Sequence, residues 1–125
     1  MRAVILKECG GPEVLRITDC PKPTPTPEQL LVKVKAAALN RADILQRRGK
    51  YPPPPGESDI LGLEIAGDVV EMGAKVTDYR MGDRVFGLVG SGAYADFCAI
   101  DQKVALPIPD NLSYLDAASL PEAFL

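Results

Sequence analysis

The sequence contains no histidine, and its three cysteines, Cys9, Cys20 and Cys98, lie far apart. Zinc is held by clustered Cys, His or carboxylate ligands, so these two scarcities argue against a zinc site. An odd number of scattered cysteines also makes a poor disulfide framework and suits a reducing compartment. No apolar run approaches the ~20 residues that a membrane-spanning helix needs. The N-terminal Met-Arg-Ala-Val-Ile-Leu-Lys-Glu has too short an apolar run for a signal peptide and no small-residue cleavage site. A cytoplasmic protein with no membrane partner is the expectation. A basic stripe is missing too: 14 basic and 17 acidic residues are interspersed for a formal net charge of -3, which makes nucleic acid a poor partner. Nor does the chain carry a Gly-x-Gly-x-x-Gly or related phosphate cradle, so it has no recognisable dinucleotide site of its own.

What is present is ordinary globular material. At 125 residues, 46% hydrophobic and 25% charged, the chain has the size and composition of one domain with a modest core. Ala3 to Lys7 reads as a strand closed by Gly10-Gly11-Pro12, and Val14 to Thr18 as a second. The segment from Pro21 to Pro27 has proline at every second position and cannot join a sheet interior, so it is read as an extended surface connector. Leu30 to Ala38 alternates, with Val32, Val34 and Ala36 on one face and Leu31, Lys33 and Lys35 on the other, the period of a half-buried strand. Further strands are expected over Leu61 to Met72, bent at Gly62 and Gly67, over Asp83 to Val89, over Tyr94 to Ile100 and over Val104 to Leu106. Many short strands punctuated by glycine and proline predict a mainly β barrel or sandwich with a few short helices.

Two helices are placed by their caps. Asn40 is a good N-cap with Asp43 three residues on, and Gly49 supplies a stop, which predicts a helix over about Arg41 to Arg48. Ser113 with Asp116 starts another, continued by Ala117, Ala118 and Leu120 to Pro121. Between them, Lys50-Tyr51-Pro52-Pro53-Pro54-Pro55-Gly56 is a stiff loop that holds Tyr51 extended, because a residue before proline is pushed out of the helical region.

Asn40-Arg41-Ala42-Asp43, Arg48-Gly49-Lys50-Tyr51 with its four prolines, Leu61-Gly62-Leu63-Glu64-Ile65-Ala66-Gly67 with Gly73, Gly82-Asp83-Arg84-Val85-Phe86 and Gly92-Ala93-Tyr94-Ala95 follow one another in a recognisable order. They resemble the N-terminal half of the zinc-free NADPH:quinone oxidoreductases of the medium-chain dehydrogenase/reductase superfamily, the tumour-suppressor-inducible type among them. The resemblance implies a GroES-like, partly open β-barrel over residues 1–125. It also implies that residues 112–125 begin the connection to a Rossmann domain, not contained in this chain, that holds most of the NADPH. The zinc-dependent relatives carry a Cys where this chain has Asn40, a His where it has Leu63, and a cysteine-rich structural loop that is missing here. The implied activity is therefore hydride transfer from NADPH to a quinone or related conjugated carbonyl without zinc, by positioning more than by Lewis-acid chemistry. The complete enzyme would be a homodimer by the same token, and the isolated chain inactive.

By resemblance, Asn40 and Tyr51 face nicotinamide and substrate, Leu63 gives an apolar wall, and Arg41 meets cofactor phosphates. Tyr51 would donate to a quinone oxygen as it gains charge. Local sequence supports a plain capping role for Asn40 equally well, and both roles can hold. Tyr51 reads locally as a loop anchor and Arg41 as a surface charge. Asp43 is read as a partner of the helix start, and Glu64 as a buried, paired carboxylate with Arg41 as the suggested partner. The alternative to an enzyme domain is a non-enzymatic GroES-like module kept for binding or structure, since a fold does not name a function.

Overall fold

The computed structural model describes residues 1–52, 55 and 58–124. Its centre is β3 (Gln29–Ala37), which pairs antiparallel on one side with β6 (Phe97–Asp101) and on the other with β4 (Glu64–Met72). β4 continues to β5 (Arg84–Leu88) and β5 to the two-residue β7 (Leu106–Pro107), giving the order β6-β3-β4-β5-β7. β1 (Arg2–Leu6) and β2 (Leu15–Asp19) form a separate hairpin. An Ala3–Ala95 bridge and a 2.8 Å bond from Val4 N–H to the Tyr94 carbonyl clip it to the larger sheet. The sheet does not close on itself, in keeping with the partly open barrel expected.

Two apolar clusters hold these strands. Leu30, Val32, Ile65, Val69, Val85, Cys98 and Ile100 form the first; Ala36, Ala66, Phe86 and Ile108 meet Ala117 and Ala118 of α2 (Tyr114–Ala118) in the second. A fully buried Leu, Ile or Val side chain is worth about 1.5–3 kcal/mol, so these residues dominate the drive to fold. α2 is tied down from outside as well. Tyr114 donates to Asp68 Oδ1 at 2.5 Å, and the Arg84 guanidinium lies 4.6 Å from the Tyr114 ring centroid.

Several expectations need correction. Leu31, assigned to the polar face of its strand, is fully buried beside Leu30 and Val32, and the β3–β4 pairing shifts register between Leu31 and Val32. A bulge of this kind breaks strict alternation. β4 begins at Glu64 instead of Leu61, because Gly62 takes a φ of +105° and leaves the extended region. β6 begins at Phe97 instead of Tyr94. Residues 94–96 turn their backbone to β1 and β3 singly, as in the 3.0 Å bond from Asp96 N–H to the Arg2 carbonyl. The last helix is split: α2 ends at Ala118, and α3 (Pro121–Phe124) starts afresh with proline at its first position, where a missing N–H costs nothing. Pro53, Pro54 and Gly56 of the stiff loop lie outside the described residues.

Candidate functional site

α1 (Arg41–Arg47) is built from its cap outward. Asn40 is extended, with φ -132° and ψ 158°, and its N–H donates to Asp43 Oδ2 at 2.9 Å while the Asp43 N–H donates to the Asn40 carbonyl at 3.1 Å. The two residues stand in the capping-box relation, and the carboxylate sits at the positive end of the helix dipole. At the other end Gly49 takes a φ of +81°, and Lys50 N–H reaches the Leu45 carbonyl at 2.8 Å, so the helix stops where glycine lets it.

The Asn40 side chain also reaches across the barrel. Its Nδ2 donates to Glu64 Oε1 at 2.9 Å, and the other Glu64 oxygen accepts the N–H of Glu122, in α3, at 2.9 Å. Glu64 is 1% exposed, so both bonds are made away from water, where an unmet carboxylate oxygen would be costly. This corrects the suggested Glu64–Arg41 pair: the carboxylate is satisfied by an amide and a backbone N–H, and Arg41 is exposed.

Asp43 is buried as well, and its Oδ2 takes a second donor, the hydroxyl of Tyr94. Its Oδ1 is buried without a hydrogen-bond partner. Burial first, then the hydrogen bond to Asp43 and the negative charges of Asp43 and Glu64, push the Tyr94 hydroxyl well above its ordinary value of 10.0. Tyr94 thus keeps its proton and commits it to Asp43, leaving its oxygen able only to accept from a ligand.

These groups border a groove of about 540 Å³, a size suited to a small molecule. Leu39, Ile44 and Leu61 supply apolar walls; Asn40, Arg41 and Tyr94 supply the polar points. Arg47 lines it too, but its Nε is held by the Gly10 carbonyl at 3.1 Å. Of the four site residues read from the sequence, Asn40 and Arg41 come together here. Leu63 is buried next to Glu64 in the chain, with its carbonyl accepting Val89 N–H at 2.8 Å, and Tyr51, 40% exposed, stands outside the lining of this groove. The Glu64–Asn40 and Tyr94–Asp43 contacts were not foreseen. The available signals were a carboxylate inside the apolar run 61–66 and the three-residue step from Asn40 to Asp43.

Among the described residues no three His, Cys, Asp or Glu side chains are grouped so as to hold a metal ion, and no helix is long and apolar enough to cross a membrane.

Comparison with known proteins agrees with this architecture. The mouse synaptic vesicle membrane protein VAT-1 homolog-like is 35% identical over 125 residues, all of this chain and 30% of its own length. Mouse quinone oxidoreductase is 36% identical over 122 residues, 96% of this chain and 37% of its own length. The crystal structure of Escherichia coli quinone oxidoreductase complexed with NADPH superimposes with a TM-score of 0.87 at 33% identity, over 95% of this chain and 36% of that one. The chain thus spans roughly a third of the length of such relatives. Residues 26–110, from the connector before β3 to the loop after β7, match the model of one family, and on that match the chain belongs to the alcohol dehydrogenase GroES-like domain family.

Proposed function

We propose that this chain is the substrate-facing domain of a zinc-free, cytoplasmic oxidoreductase that passes a hydride from NADPH to a quinone or related conjugated carbonyl. A nucleotide-binding Rossmann domain would complete it after residues 112–125, and the whole would act as a homodimer. The observation that carries this reading is the groove at the start of α1, apolar along Leu39, Ile44 and Leu61 and polar at Asn40 and Arg41, on a domain shared with quinone oxidoreductases. The relative solved with NADPH supports the choice of cofactor.

The groove fits one end of that cofactor. The Arg41 side chain makes no hydrogen bond or ion pair among the described residues, so its guanidinium is available to a phosphate, and Asn40 is available to the nicotinamide side. NADPH supplies the hydride when bound. The protein's own part is to hold the acceptor ring against an apolar surface, exclude water and fix its orientation, which is where most of the rate enhancement of such a reaction lies. By the family resemblance Leu63 stands where zinc-dependent relatives carry a ligand, and its hydrocarbon side chain offers no lone pair, which supports chemistry without zinc. Tyr51 serves as donor to the reduced oxygen from its loop. A co-chaperonin-like binding role would place a long mobile apolar loop where this chain has α1.

A chimera joining this chain to the nucleotide-binding half of the E. coli quinone oxidoreductase tests the proposal. It should oxidise NADPH in the presence of a quinone, unaffected by a chelator, and Tyr51→Phe should lower its kcat several-fold. A chimera that binds NADPH yet reduces neither a quinone nor a conjugated carbonyl would sink it.

A further inference from the structure

Glu64 is the most deeply placed charged group of the described chain, and both of its oxygens are spoken for. One accepts Asn40 Nδ2 and the other the backbone N–H of Glu122. A carboxylate only accepts hydrogen bonds, whereas an Asn amide has a donor end and an acceptor end whose choice is set by its neighbours. Glu64 therefore settles which way the Asn40 amide lies. Its NH2 is drawn inward, and its carbonyl oxygen is left at the start of α1, in the capping-box relation to the Asp43 N–H, where the oxygen's second lone pair is what Asn40 can offer to the groove it lines.

We propose that Glu64 is a positioning residue that fixes the hydrogen-bond polarity of Asn40, so that the groove presents an acceptor and selects a ligand group carrying an N–H or O–H donor, such as a primary carboxamide. A quinone oxygen, itself only an acceptor, gains nothing from that end of Asn40. This rests on the proposed function and sharpens it: Asn40 belongs to the nicotinamide side of the reaction, and the quinone must find its donor elsewhere.

Substituting Glu64 inverts the arrangement in a definite way. In Glu64→Gln the new side chain keeps its carbonyl on the Glu122 N–H and turns its NH2 to Asn40. The Asn40 amide must then flip, presenting its own NH2 to the groove. Adding Asn40→Asp restores an acceptor there: the introduced carboxylate takes a hydrogen bond from the introduced glutamine NH2 with one oxygen and offers the other to the groove.

The test uses the 125-residue chain, labelled with 15N, and two probes that share a ring, nicotinamide and methyl nicotinate, the second lacking the amide donor. In the wild type, the Asn40 side-chain NH2 should exchange with water at least tenfold more slowly than those of exposed Asn and Gln side chains, and nicotinamide should bind at least fivefold more tightly than the ester. Glu64→Gln should remove both the protection and the preference, and the Asn40→Asp, Glu64→Gln double variant should regain the preference. A merely structural role for Glu64 would leave the probe preference unchanged in any variant that folds. The proposal is overturned by an unprotected wild-type Asn40 amide, by equal binding of the two probes or binding of neither, or by a double variant no better than the single. Loss of quinone reduction in the chimera with these results intact would refute the proposed reaction and leave the role of Glu64 standing.

Discussion

Replacing Tyr94 by phenylalanine removes one oxygen atom and leaves Asp43, already buried with an unpartnered Oδ1, with one donor fewer on Oδ2. An under-satisfied buried polar group costs about 1–3 kcal/mol, so urea unfolding of Tyr94→Phe should show a loss of that size although the ring is retained. The same pair gives a pH dependence with a definite sign. The Tyr94 hydroxyl titrates higher in the folded chain than its ordinary 10.0, so the folded state holds that proton more tightly than the unfolded one. Its contribution is fully present below about pH 10 and is lost as pH rises further, at up to ~1.4 kcal/mol per pH unit for one proton. Tyr79 and Tyr114 are raised as well and add to the alkaline loss in the wild type. Tyr94→Phe should therefore lose stability less steeply above pH 10 than the wild type. Parallel slopes for the two proteins would show that the Tyr94 proton is not held by Asp43.

β3 and β4 approach each other closely at Gly67, where a side chain is missing. A Cβ placed on Gly67 of β4 would lie 2.1 Å from the Lys33 carbonyl oxygen of β3, a backbone atom that can yield only if the sheet opens. Gly67→Ala should cost about 3 kcal/mol by overpacking. Gly82→Ala has open space around it and only a φ of +88° to oppose it, for a cost of about 1–2 kcal/mol. Chemical denaturation of both variants separates the two kinds of glycine, and equal costs would contradict the close approach. At α2, Ser113 accepts the Asp116 N–H at 3.0 Å, and Ser113→Ala should cost about 1 kcal/mol while loosening Ala117 and Ala118 from the second core. The strands and both caps were legible because apolar period, proline and capping side chains act within a few residues of one another. The late start of β4, the bulge at Leu31 and the break before Pro121 were not, because a positive φ, a register shift and a tertiary anchor are decided by neighbours far along the chain. The same holds for the site: Asn40 and Asp43 are neighbours in sequence, but Glu64 lies 24 positions from Asn40 and Tyr94 lies 51 from Asp43.

At the scale of the molecule the proposed function makes the groove one wall of a site, and its affinity for the proposed cofactor follows from what that wall holds. A dinucleotide is gripped chiefly through its phosphates, by backbone N–H groups at a glycine-rich turn and a helix N-terminus. This chain has no such motif, and the cations that line its groove among the described residues are Arg41, which is exposed, and Arg47, whose Nε is already held by the Gly10 carbonyl. An exposed ion pair is worth about 0–1 kcal/mol, whereas association alone costs at least ~4 kcal/mol in lost freedom of motion. The apolar walls can offset part of that cost for the nicotinamide ring but do nothing for the adenosine half. Titration calorimetry of the 125-residue chain with NADPH should accordingly give a Kd weaker than about 1 mM, the affinity that corresponds to about -4.1 kcal/mol. In the chimera the affinity should rise to that of the donor enzyme, because the phosphates are held there by the other domain. Micromolar binding by the chain alone would mean that its surface holds phosphates by some other cluster of donors, and the division of labour between the two halves would have to be redrawn.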